Sequence, residues 1–434
     1  MGLFYLLNFN FVYLCRYKFK LMENKKIKIL VVPSDRTGVS YFRSTKPHLH
    51  LEEMYPDLFH VDIDYEPRLG SDDWLKQYDI IHYHRTLGPY EGVEALVEKL
   101  KGLGIVSIMD IDDYWSPGKH HPAHQIIKKN GIDKKIANNI RSAENVMTTT
   151  NIFAKMIKKY NKNTFVIPNS IDLNEKQYIS NTEPSTNGKI RIGWLGGSAH
   201  LHDLELLRGL VSKLKGDGLL DKVQFVVCGF DLRGKMTQIN KQTGEEVVRD
   251  ITPKESVWYE YEKIFTNNYT TISPEYKNHL LKFVNTEFPG VSNEPYRRVW
   301  TKPIESYATN YNLFDVSLAP LEPNTFNEMK SQLKVIESGV HKKALIATNF
   351  GPYTIDIENA YQRGGSIDET KNGLLVETHR NNKSWHQYIK KLIQNPELIG
   401  KLGNNLHEMV VENYSLEKSS EKRKNYYEKL LKNK

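Results

Sequence analysis

The sequence predicts an α/β protein built from two doubly wound domains that face each other across a cleft. Short apolar runs alternate with amphipathic helical segments in two series, and a polar segment separates the series. A chain of 434 residues is also too long for one ordinary hydrophobic core. Ligands of parallel sheets bind beyond the carboxyl ends of the strands, and a cleft between two domains is a preferred site. The cleft is therefore where we expect function.

The first domain is predicted over residues 22–178. Its continuous apolar run KIKILVV is typical of a buried parallel strand, and DIIHYH, GIVSIMD, NVMTTT and TFVIP follow as further strands. Between them Val93, Leu96, Val97 and Leu100 recur at helical spacing. This alternation indicates a parallel sheet covered by helices on both faces.

The second domain is predicted over 189–410, after a linker at 179–188. Its strands are KIRIGWL, VQFVVC, DVSLAPL, ALIAT and GLLV. Residues 231–300 do not fit the alternation, and we interpret them as a helical insertion. Residues 411–434 are predicted to form a C-terminal helix that packs back on the first domain.

Residues 1–21 are aromatic and apolar but too short to span a bilayer, which needs about 20 apolar residues. They also lack the basic leading segment and cleavage site of a signal peptide. Met22 leads directly into the first strand, so we expect 1–21 to be a disordered lead or a mis-assigned start. A membrane-touching anchor is the alternative, which the basic tail at 418–434 would support.

Composition restricts the partners without choosing among them. The net charge of +8 favours anionic partners such as nucleotides, nucleic acid and acidic lipid. The basic residues are scattered and no nucleic-acid module or zinc spacing is present in the sequence, so we expect no nucleic-acid partner. The two isolated cysteines, Cys15 and Cys228, indicate a reducing compartment. We expect a cytoplasmic protein, with peripheral contact at the anionic inner face of the membrane left open.

The segment 315–348 carries the most chemical information. A strand is followed by a polar loop and a predicted helix whose first turns hold Lys330, Ser331 and Lys334. Free N–H groups and lysines at a helix start form an anion site. A carboxylate two turns beyond Lys330, Glu337, suits the hydroxyls of a ribose. An ordinary surface helix with solvated lysines is the alternative.

Six motifs then occur in a recognisable order. They are VMTTTNIFAKMIKKYNKNTFVIPNSID, IRIGWLGGSAHLHDLELL, LFDVSLAPL, KVIESG with ALIAT, NGLLVE with NPELIGKLGNNL, and ENYSLE. The series resembles the family 4 (group 1) nucleotide-sugar glycosyltransferases, over roughly 27–430 apart from the insertion. MDIDDYW and GVSYFRS resemble motifs of a subset of that family. The resemblance implies the GT-B fold, with two Rossmann-like domains.

The resemblance also implies an activity: metal-independent transfer of a sugar from a nucleotide-sugar donor to a glycan, lipid-linked or protein acceptor, with retention at the anomeric carbon. No cofactor and no metal are expected. Glu337 would bind ribose hydroxyls, and the amides near Lys330 and Ser331 would hold the diphosphate. The predicted donor-binding residues are Gly38, Tyr41, Arg43, Gly196, Gly197, Ser198, His200, Asn327, Lys330, Ser331, Lys334 and Glu337.

The predicted catalytic residues are Asp110, Asp112 and Glu328. The chain departs from the family here, because Met329 occupies the position of a sugar-contacting glutamate, so that either Glu328 takes over or Lys330 does different work. The family's Arg and Lys pair for the diphosphate is also missing, and Lys330, Lys334 or His200 would substitute. An aspartate, Asp110, replaces the family's first-domain histidine.

Other interpretations of these residues remain open. The Asp110, Asp112 and Asp113 cluster could instead cap a helix or line a solvated loop. His82 and His84 share one face of a strand, where a polar strand end is favoured over a metal site. At the level of function, the alternatives are a nucleotide-sugar epimerase of the same fold and a non-catalytic carbohydrate-binding relative. A nicotinamide-dependent dehydrogenase is disfavoured, because neither first strand is followed by G-x-G-x-x-G.

Overall fold

The structure is a computed structural model that describes most of the chain from residue 26 onward. The lead predicted at 1–21 lies outside the described part, as do parts of the predicted linker and much of 231–300. The described residues are 26–182, 185, 188–231, 235–239, 246–251, 255–266, 296–377 and 382–433.

The first domain contains a six-stranded sheet in which every neighbouring pair of strands is parallel. Its order is β2-β1-β3-β4-β5-β6, so the chain starts near one edge and winds outward in both directions. The central strands are buried along their whole length, as their apolar sequences require. The strands are β1 (Ile27–Val32), β2 (Phe59–Ile63), β3 (Ile80–His84), β4 (Val106–Ile111), β5 (Asn145–Thr148) and β6 (Thr164–Val166).

Helices cover both faces of this sheet. A turn of α-helix at Gly38–Ser40 and a π-helical turn at Tyr41–Thr45 lead into the first long helix. Ser71 and Thr150 cap two of the helices by accepting hydrogen bonds from backbone N–H groups. The helices are α1 (Lys46–Met54), α2 (Asp72–Leu75), α3 (Val93–Gly102), α4 (His124–Lys129), α5 (Ile132–Ser142) and α6 (Asn151–Ile157).

The second domain repeats the architecture with a six-stranded parallel sheet of order β11-β8-β7-β12-β13-β14. A separate antiparallel pair, β9 and β10, follows β8 in the chain. The strands are β7 (Ile190–Leu195), β8 (Val223–Phe230), β9 (Lys235–Ile239), β10 (Glu246–Asp250), β11 (Tyr296–Trp300), β12 (Val316–Ala319), β13 (Ala344–Thr348) and β14 (Leu374–Val376).

The second sheet is also covered by helices, and 3₁₀ turns occur at Leu220–Lys222, Tyr307–Leu313 and Gly351–Thr354. The helices of this part of the chain are α7 (Leu201–Glu205), α8 (Leu210–Gly216), α9 (Val257–Phe265), α10 (Thr325–Glu328), α11 (Leu333–Val340), α12 (Lys383–Gln394), α13 (Glu397–Tyr414) and α14 (Leu416–Lys432).

The prediction of a wholly helical insertion at 231–300 is wrong for the residues that are described. Among the described residues of this segment, α9 is the one α-helix, β9 and β10 form an antiparallel pair, and β11 is an edge strand of the main sheet. The Glu262 carboxylate on α9 accepts hydrogen bonds from the Tyr296 hydroxyl at 3.0 Å and from Arg298 Nε at 2.7 Å. These bonds fasten the helix to the polar edge strand that the sequence pattern did not reveal.

Two neighbouring chain crossings join the domains. The first follows β6, and the second lies between α13 and α14. They are bonded to each other, since the Ile171 N–H donates to the Tyr414 carbonyl at 3.0 Å and the Leu416 N–H donates to the Ile171 carbonyl at 2.8 Å. Near the linker the buried Lys343 donates to the Thr182 hydroxyl.

After the second crossing, α14 packs against α1 of the first domain. His48 Nε2 lies 2.8 Å from the Tyr427 hydroxyl, and His50 Nδ1 lies 2.9 Å from Ser420 Oγ. The last helix therefore contributes to the packing of the first domain. Within the described ranges, no helix combines the length and apolar character needed to cross a bilayer.

Candidate active site

A cleft of about 980 Å³ lies between the two domains, at the carboxyl ends of both sheets. One wall is formed by residues that follow β1 and β4. The opposite wall is formed by residues that follow β7, β8, β11 and β12. This is the position at which parallel sheets place their ligands.

Ten of the fifteen predicted site residues line this cleft. The remaining five, Asp110, Tyr41, Ser198, Asn327 and Glu328, are not among its lining residues. The ten are Gly38, Arg43, Asp112, Gly196, Gly197, His200, Lys330, Ser331, Lys334 and Glu337.

Asp110 lies behind the wall rather than in it. Its side chain is 0% exposed, and its two oxygens accept hydrogen bonds of 3.0 Å each from Arg43 Nε and Nη2. Burial acts to raise the pKa of Asp110, but the Arg43 guanidinium and His82 outweigh it and hold that pKa below its usual value. The prediction of a catalytic Asp110 is therefore corrected: a fully buried carboxylate held in a bidentate ion pair positions Arg43.

Arg43 in turn connects to the far wall. Its Nη1 donates to the Ile167 carbonyl at 2.8 Å and to Asn169 Oδ1 at 3.1 Å. Asn169 Nδ2 then donates to Ser331 Oγ of the second domain at 3.0 Å. A continuous hydrogen-bonded chain thus runs from the buried Asp110 across the cleft.

Asp112 directly follows β4 and contacts two basic side chains, His84 and Arg85. Its Oδ1 lies 2.9 Å from His84 Nε2 and 2.9 Å from Arg85 Nη2. Burial would raise the pKa of Asp112, but Arg85 and His84 keep it well below its usual value. Arg85 has a φ of +59°, which is uncommon for a residue other than glycine, and such backbone conformations cluster at functional sites.

Asp113 lines the cleft beside Asp112. The sequence analysis placed it in the same carboxylate cluster but did not include it among the predicted catalytic residues. Burial and the negative charge of Asp112 raise the pKa of Asp113, whereas Lys330 across the cleft lowers it. Neighbouring carboxyl groups with pKa values pushed in opposite directions are a common arrangement for acid–base chemistry.

The other four predicted residues that do not line the cleft lie in different surroundings. The Tyr41 hydroxyl bonds the Glu175 carboxylate and accepts from Gln177 Nε2 at 3.2 Å. Ser198 is exposed in the loop after β7. Two predicted residues, Asn327 and Glu328, belong to the short helix α10, where Asn327 is buried and Glu328 lies next to Gly351.

The loop after β7 reaches the cleft at Gly196, whose backbone is in close contact with that of Gly229 in β8. A side chain at Gly229, which has a φ of +101°, would place its Cβ only 2.2 Å from the Gly196 carbonyl oxygen. A Cβ at Gly196 would lie 2.5 Å from the Trp194 ring. Both positions therefore require glycine. The sequence pattern identified Gly196 but not Gly229.

Helix α9 holds the same loop in place. The Tyr261 hydroxyl donates to the Gly197 carbonyl at 3.1 Å and accepts from the His200 N–H at 2.9 Å. Its ring packs edge-on against Trp194, with 5.5 Å between centroids. The insertion thus supports the glycine loop of the cleft.

The structure also corrects the placement of two lysine-segment residues. Lys330 and Ser331 precede α11, which begins only at Leu333, and they lie in the break between α10 and α11. The Lys330 ammonium lies 5.2 Å from the centroid of the Phe326 ring. A break between helices lets Lys330 and Ser331 line the cleft without being in a helix.

Lys334 is in the first turn of α11, as predicted, and faces the glycine loop. Its ammonium donates to the Leu195 carbonyl and lies 5.8 Å from the centroid of the Trp194 ring. Burial lowers the pKa of Lys334. Because the half-buried Lys334 ammonium bonds a carbonyl rather than a carboxylate, its charge is well suited to attract an anion.

His200 is held by an aspartate that the sequence did not single out. His200 Nδ1 lies 2.7 Å from Asp203 Oδ2, and the other oxygen of Asp203 accepts from the Glu322 N–H and from Asn327 Nδ2, each at 2.8 Å. Burial and the nearby Lys330 lower the pKa of His200 to about 4, despite the opposing effect of Asp203. The His200 ring is therefore neutral at pH 7.

Glu337 lines the cleft with both carboxylate oxygens already engaged. Its Oε1 accepts from the Tyr307 hydroxyl, and its Oε2 accepts from the Tyr311 hydroxyl at 2.8 Å. A carboxylate oxygen has more than one acceptor site, so these bonds fix the orientation of Glu337 and leave capacity for a ligand. Burial and the Glu337 charge raise the pKa values of both tyrosines well above their usual range.

Met329 has a structural explanation. Its side chain is 4% exposed and belongs to the apolar cluster of the first domain that includes Val32 and Trp115. An apolar residue here forms an interdomain contact. At the position where the resemblance would place a carboxylate, this chain therefore has an apolar side chain that packs against the first domain.

Comparisons with known proteins extend this description. No protein-family model matches the chain, and no curated protein matches it by sequence. Sucrose-phosphate synthase from Thermosynechococcus elongatus superposes with a TM-score of 0.57 at 12% identity, over 94% of this chain and 100% of that one. These two proteins share the arrangement of two parallel sheets. The chain has the GT-B fold.

Other solved structures agree. A glycosyltransferase from Rickettsia africae has a TM-score of 0.56 at 15% identity, covering 95% of this chain and all of its own. HepE from Anabaena, solved in complex with UDP, has a TM-score of 0.54 at 13% identity, with coverage of 93% and 100%. At these identities the likeness establishes the fold. It confirms the prediction of a GT-B protein with two domains facing across a cleft.

Proposed function

We propose that this GT-B protein transfers a sugar from a nucleotide-sugar donor to an acceptor hydroxyl, as a hexosyltransferase-type enzyme. One observation carries the proposal: Lys330, Lys334 and Glu337 line one wall of the cleft, and Asp112 and Asp113 line the wall opposite. Lysines that can bind phosphates and a carboxylate that can bind ribose hydroxyls suit a nucleoside diphosphate. The carboxylates on the opposite wall suit an acceptor hydroxyl, which must lose a proton during transfer.

The donor would lie against the second domain. Glycines at 196 and 197 allow the backbone to approach a diphosphate closely. When the bond between the anomeric carbon and the diphosphate breaks, negative charge develops on the leaving oxygen. Lys330 and Lys334 would stabilise that charge without needing to reorganise, and this is a large source of rate enhancement.

The acceptor would lie against the first domain. Its hydroxyl proton would pass to the Asp112 and Asp113 pair or to the departing diphosphate. The proposed acceptor is a glycan, a lipid-linked sugar or a protein, and a membrane-bound acceptor would bring the chain to an anionic surface. By the resemblance to family 4, the transfer would retain the anomeric configuration and require no metal.

The proposal is tested first by thermal shift with UDP-, GDP- and dTDP-sugars. HepE binds UDP in its crystal structure, so UDP-sugars are the first candidates. A ligand at about 100 times its dissociation constant stabilises by about 2.7 kcal/mol, which is easily detected. Failure of all these donors to raise the melting temperature would overturn the proposal.

Matched lysine variants localise the binding. Lys330→Ala should weaken donor binding at least about tenfold, because it removes a charge-assisted contact. Lys401→Ala on the surface of α13, where Lys401 pairs with Glu369, should leave it unchanged. Incubation with donor alone, followed by NMR, separates a transferase from an epimerase, since only the latter would accumulate an epimeric donor.

A further inference from the structure

Asn310 is an unusual residue in the wall of the cleft. Its side chain is 0% exposed, and among the described residues neither its amide nitrogen nor its amide oxygen has a hydrogen-bond partner. The residue nevertheless lines the cleft. More than about 90% of buried polar groups in proteins are hydrogen-bonded, so an amide with both ends unpaired requires an explanation.

The other polar side chains on the same 3₁₀ helix are all hydrogen-bonded. Tyr307 and Tyr311 donate to Glu337, and the Thr309 hydroxyl accepts from Lys302 Nζ at 3.0 Å. Asn312 Oδ1 accepts from the Asn181 N–H at 3.0 Å. The helix is therefore well satisfied on either side of Asn310, which makes a general packing defect a poor explanation.

The helix geometry indicates where the amide points. In a 3₁₀ helix, residues three apart lie one above the other on the same face. Asn310 therefore shares a face with Tyr307, whose hydroxyl reaches the Glu337 carboxylate in the cleft. The unpaired amide accordingly lies beside the carboxylate that the proposed function assigns to the ribose.

We propose that Asn310 binds the nucleoside of the donor, an inference that rests on the proposed function. A side-chain amide offers an acceptor beside a donor, so its partner is a ligand group that presents the same pair in reverse. A ribose hydroxyl and the imide edge of a pyrimidine base both fit this description. The nucleoside completes the hydrogen bonds of Asn310, and the empty site carries the cost of leaving them unmade.

The test is Asn310→Leu, which keeps approximately the same volume and removes the polar atoms. Because the amide is unpaired without ligand, the variant should melt at the same temperature as the wild type or higher. Its affinity for UDP, measured by calorimetry, should fall roughly ten- to a hundredfold. Asn310→Asp, which retains only the acceptor, should also lose affinity.

Asn312→Leu is the matched control, because Asn312 is on the same helix and already bonded. It should lower the melting temperature and leave the affinity for UDP unchanged. A structural role for Asn310 would produce that same result at position 310, with reduced stability and retained affinity, and would overturn the inference.

Analogues then locate the contact. If the ribose is bound, 2′-deoxy-UDP binds the wild type more weakly than UDP, and Asn310→Leu no longer distinguishes the two. If the base is bound, Asn310→Leu loses the preference between UDP and CDP instead. Loss of neither preference overturns the inference while leaving the proposed function intact. If none of UDP, CDP, GDP and dTDP binds the wild type, both fail.

Discussion

Asn169 of the first domain and Ser331 of the second are joined directly across the cleft, with Asn169 Nδ2 donating to Ser331 Oγ at 3.0 Å. Asn169 also accepts from Arg43, which is fixed by the buried Asp110. The Ser331 hydroxyl, next to Lys330 in the chain, is thereby linked through Asn169 and Arg43 to the buried Asp110 of the first domain. Alignment of the two walls depends on a bond that either domain alone would lack.

A double-mutant cycle measures this bond. Asn169→Ala and Ser331→Ala should each destabilise the protein, and the double variant should be less destabilised than the sum of the two. The difference should be about 1 kcal/mol, the usual contribution of one hydrogen bond, measured by denaturant unfolding. Strictly additive effects would show that the two side chains do not interact in solution.

Asp110→Asn should destabilise the protein by about 3 kcal/mol at pH 7, because it leaves the Arg43 guanidinium buried without its counter-charge. The pKa of Asp110 is lowered in the fold, so the ionised carboxylate stabilises the protein above the usual aspartate pKa. The difference between variant and wild type should shrink as the pH falls below about 4. Urea denaturation across pH checks both statements.

Asp73→Asn serves as the comparison for Asp110→Asn, because the Asp73 side chain is 99% exposed in its pair with Lys76. That change should alter stability by no more than about 0.5 kcal/mol. A similar response at both positions would contradict the buried ion pair.

Gly229→Ala should cost about 2 kcal/mol or more and weaken donor binding. The new Cβ would strike the Gly196 carbonyl, and the φ of +101° is unfavourable for alanine. Gly216→Ala, at the end of α8, meets nothing within 4 Å and should stabilise by about 0.5–1 kcal/mol. Thermal unfolding and donor titration distinguish them, and equal effects would mean that the Gly229 and Gly196 backbones are not in close contact.

Lys343→Met should flatten the dependence of stability on pH. Burial lowers the pKa of Lys343 to about 7 in the folded protein, against 10.5 for an unperturbed lysine. Between these values the unfolded chain binds more protons, so wild-type stability gains from this group as the pH rises. Denaturation at several pH values between about 7 and 10 measures the slope.

The neighbouring Lys342→Met is the control for the Lys343 experiment, because Lys342 is exposed. It should retain the wild-type slope. A slope that survives in Lys343→Met would show that this ammonium group is solvated in the folded state.

Strands with a short apolar run could be predicted from sequence, including the edge strands β6 and β14, but the two polar edge strands could not. All ten strands read from apolar runs are present in the two sheets. The two that were missed, β2 and β11, are the edge strands next to β1 and β8. An edge strand has one open side and can therefore carry polar residues. FHVDI and YRRVW do so, and they lack the continuous apolar run of a buried strand.

In the site, residues in local sequence motifs could be predicted, and residues that depend on distant contacts could not. Residues tied to a local pattern, such as Gly196 after a strand or Lys334 at a helix start, were predicted to lie in the cleft, and they do. Asp110 was predicted to be catalytic because it lies at the end of a strand. Strand position does not reveal that Arg43, 67 residues away in sequence, forms an ion pair with it. Asp203 and Gly229 matter through distant contacts, which no local spacing encodes.

The two chain crossings, bonded to each other at Ile171 and Leu416, have a mechanical consequence. Attachment at two adjacent points along one edge permits swinging about that edge and resists twisting or sliding. The cleft would therefore open to admit a donor by a hinge rotation of the two domains about the edge that holds the two crossings. The residues beside Ile171 and Leu416 would then move least.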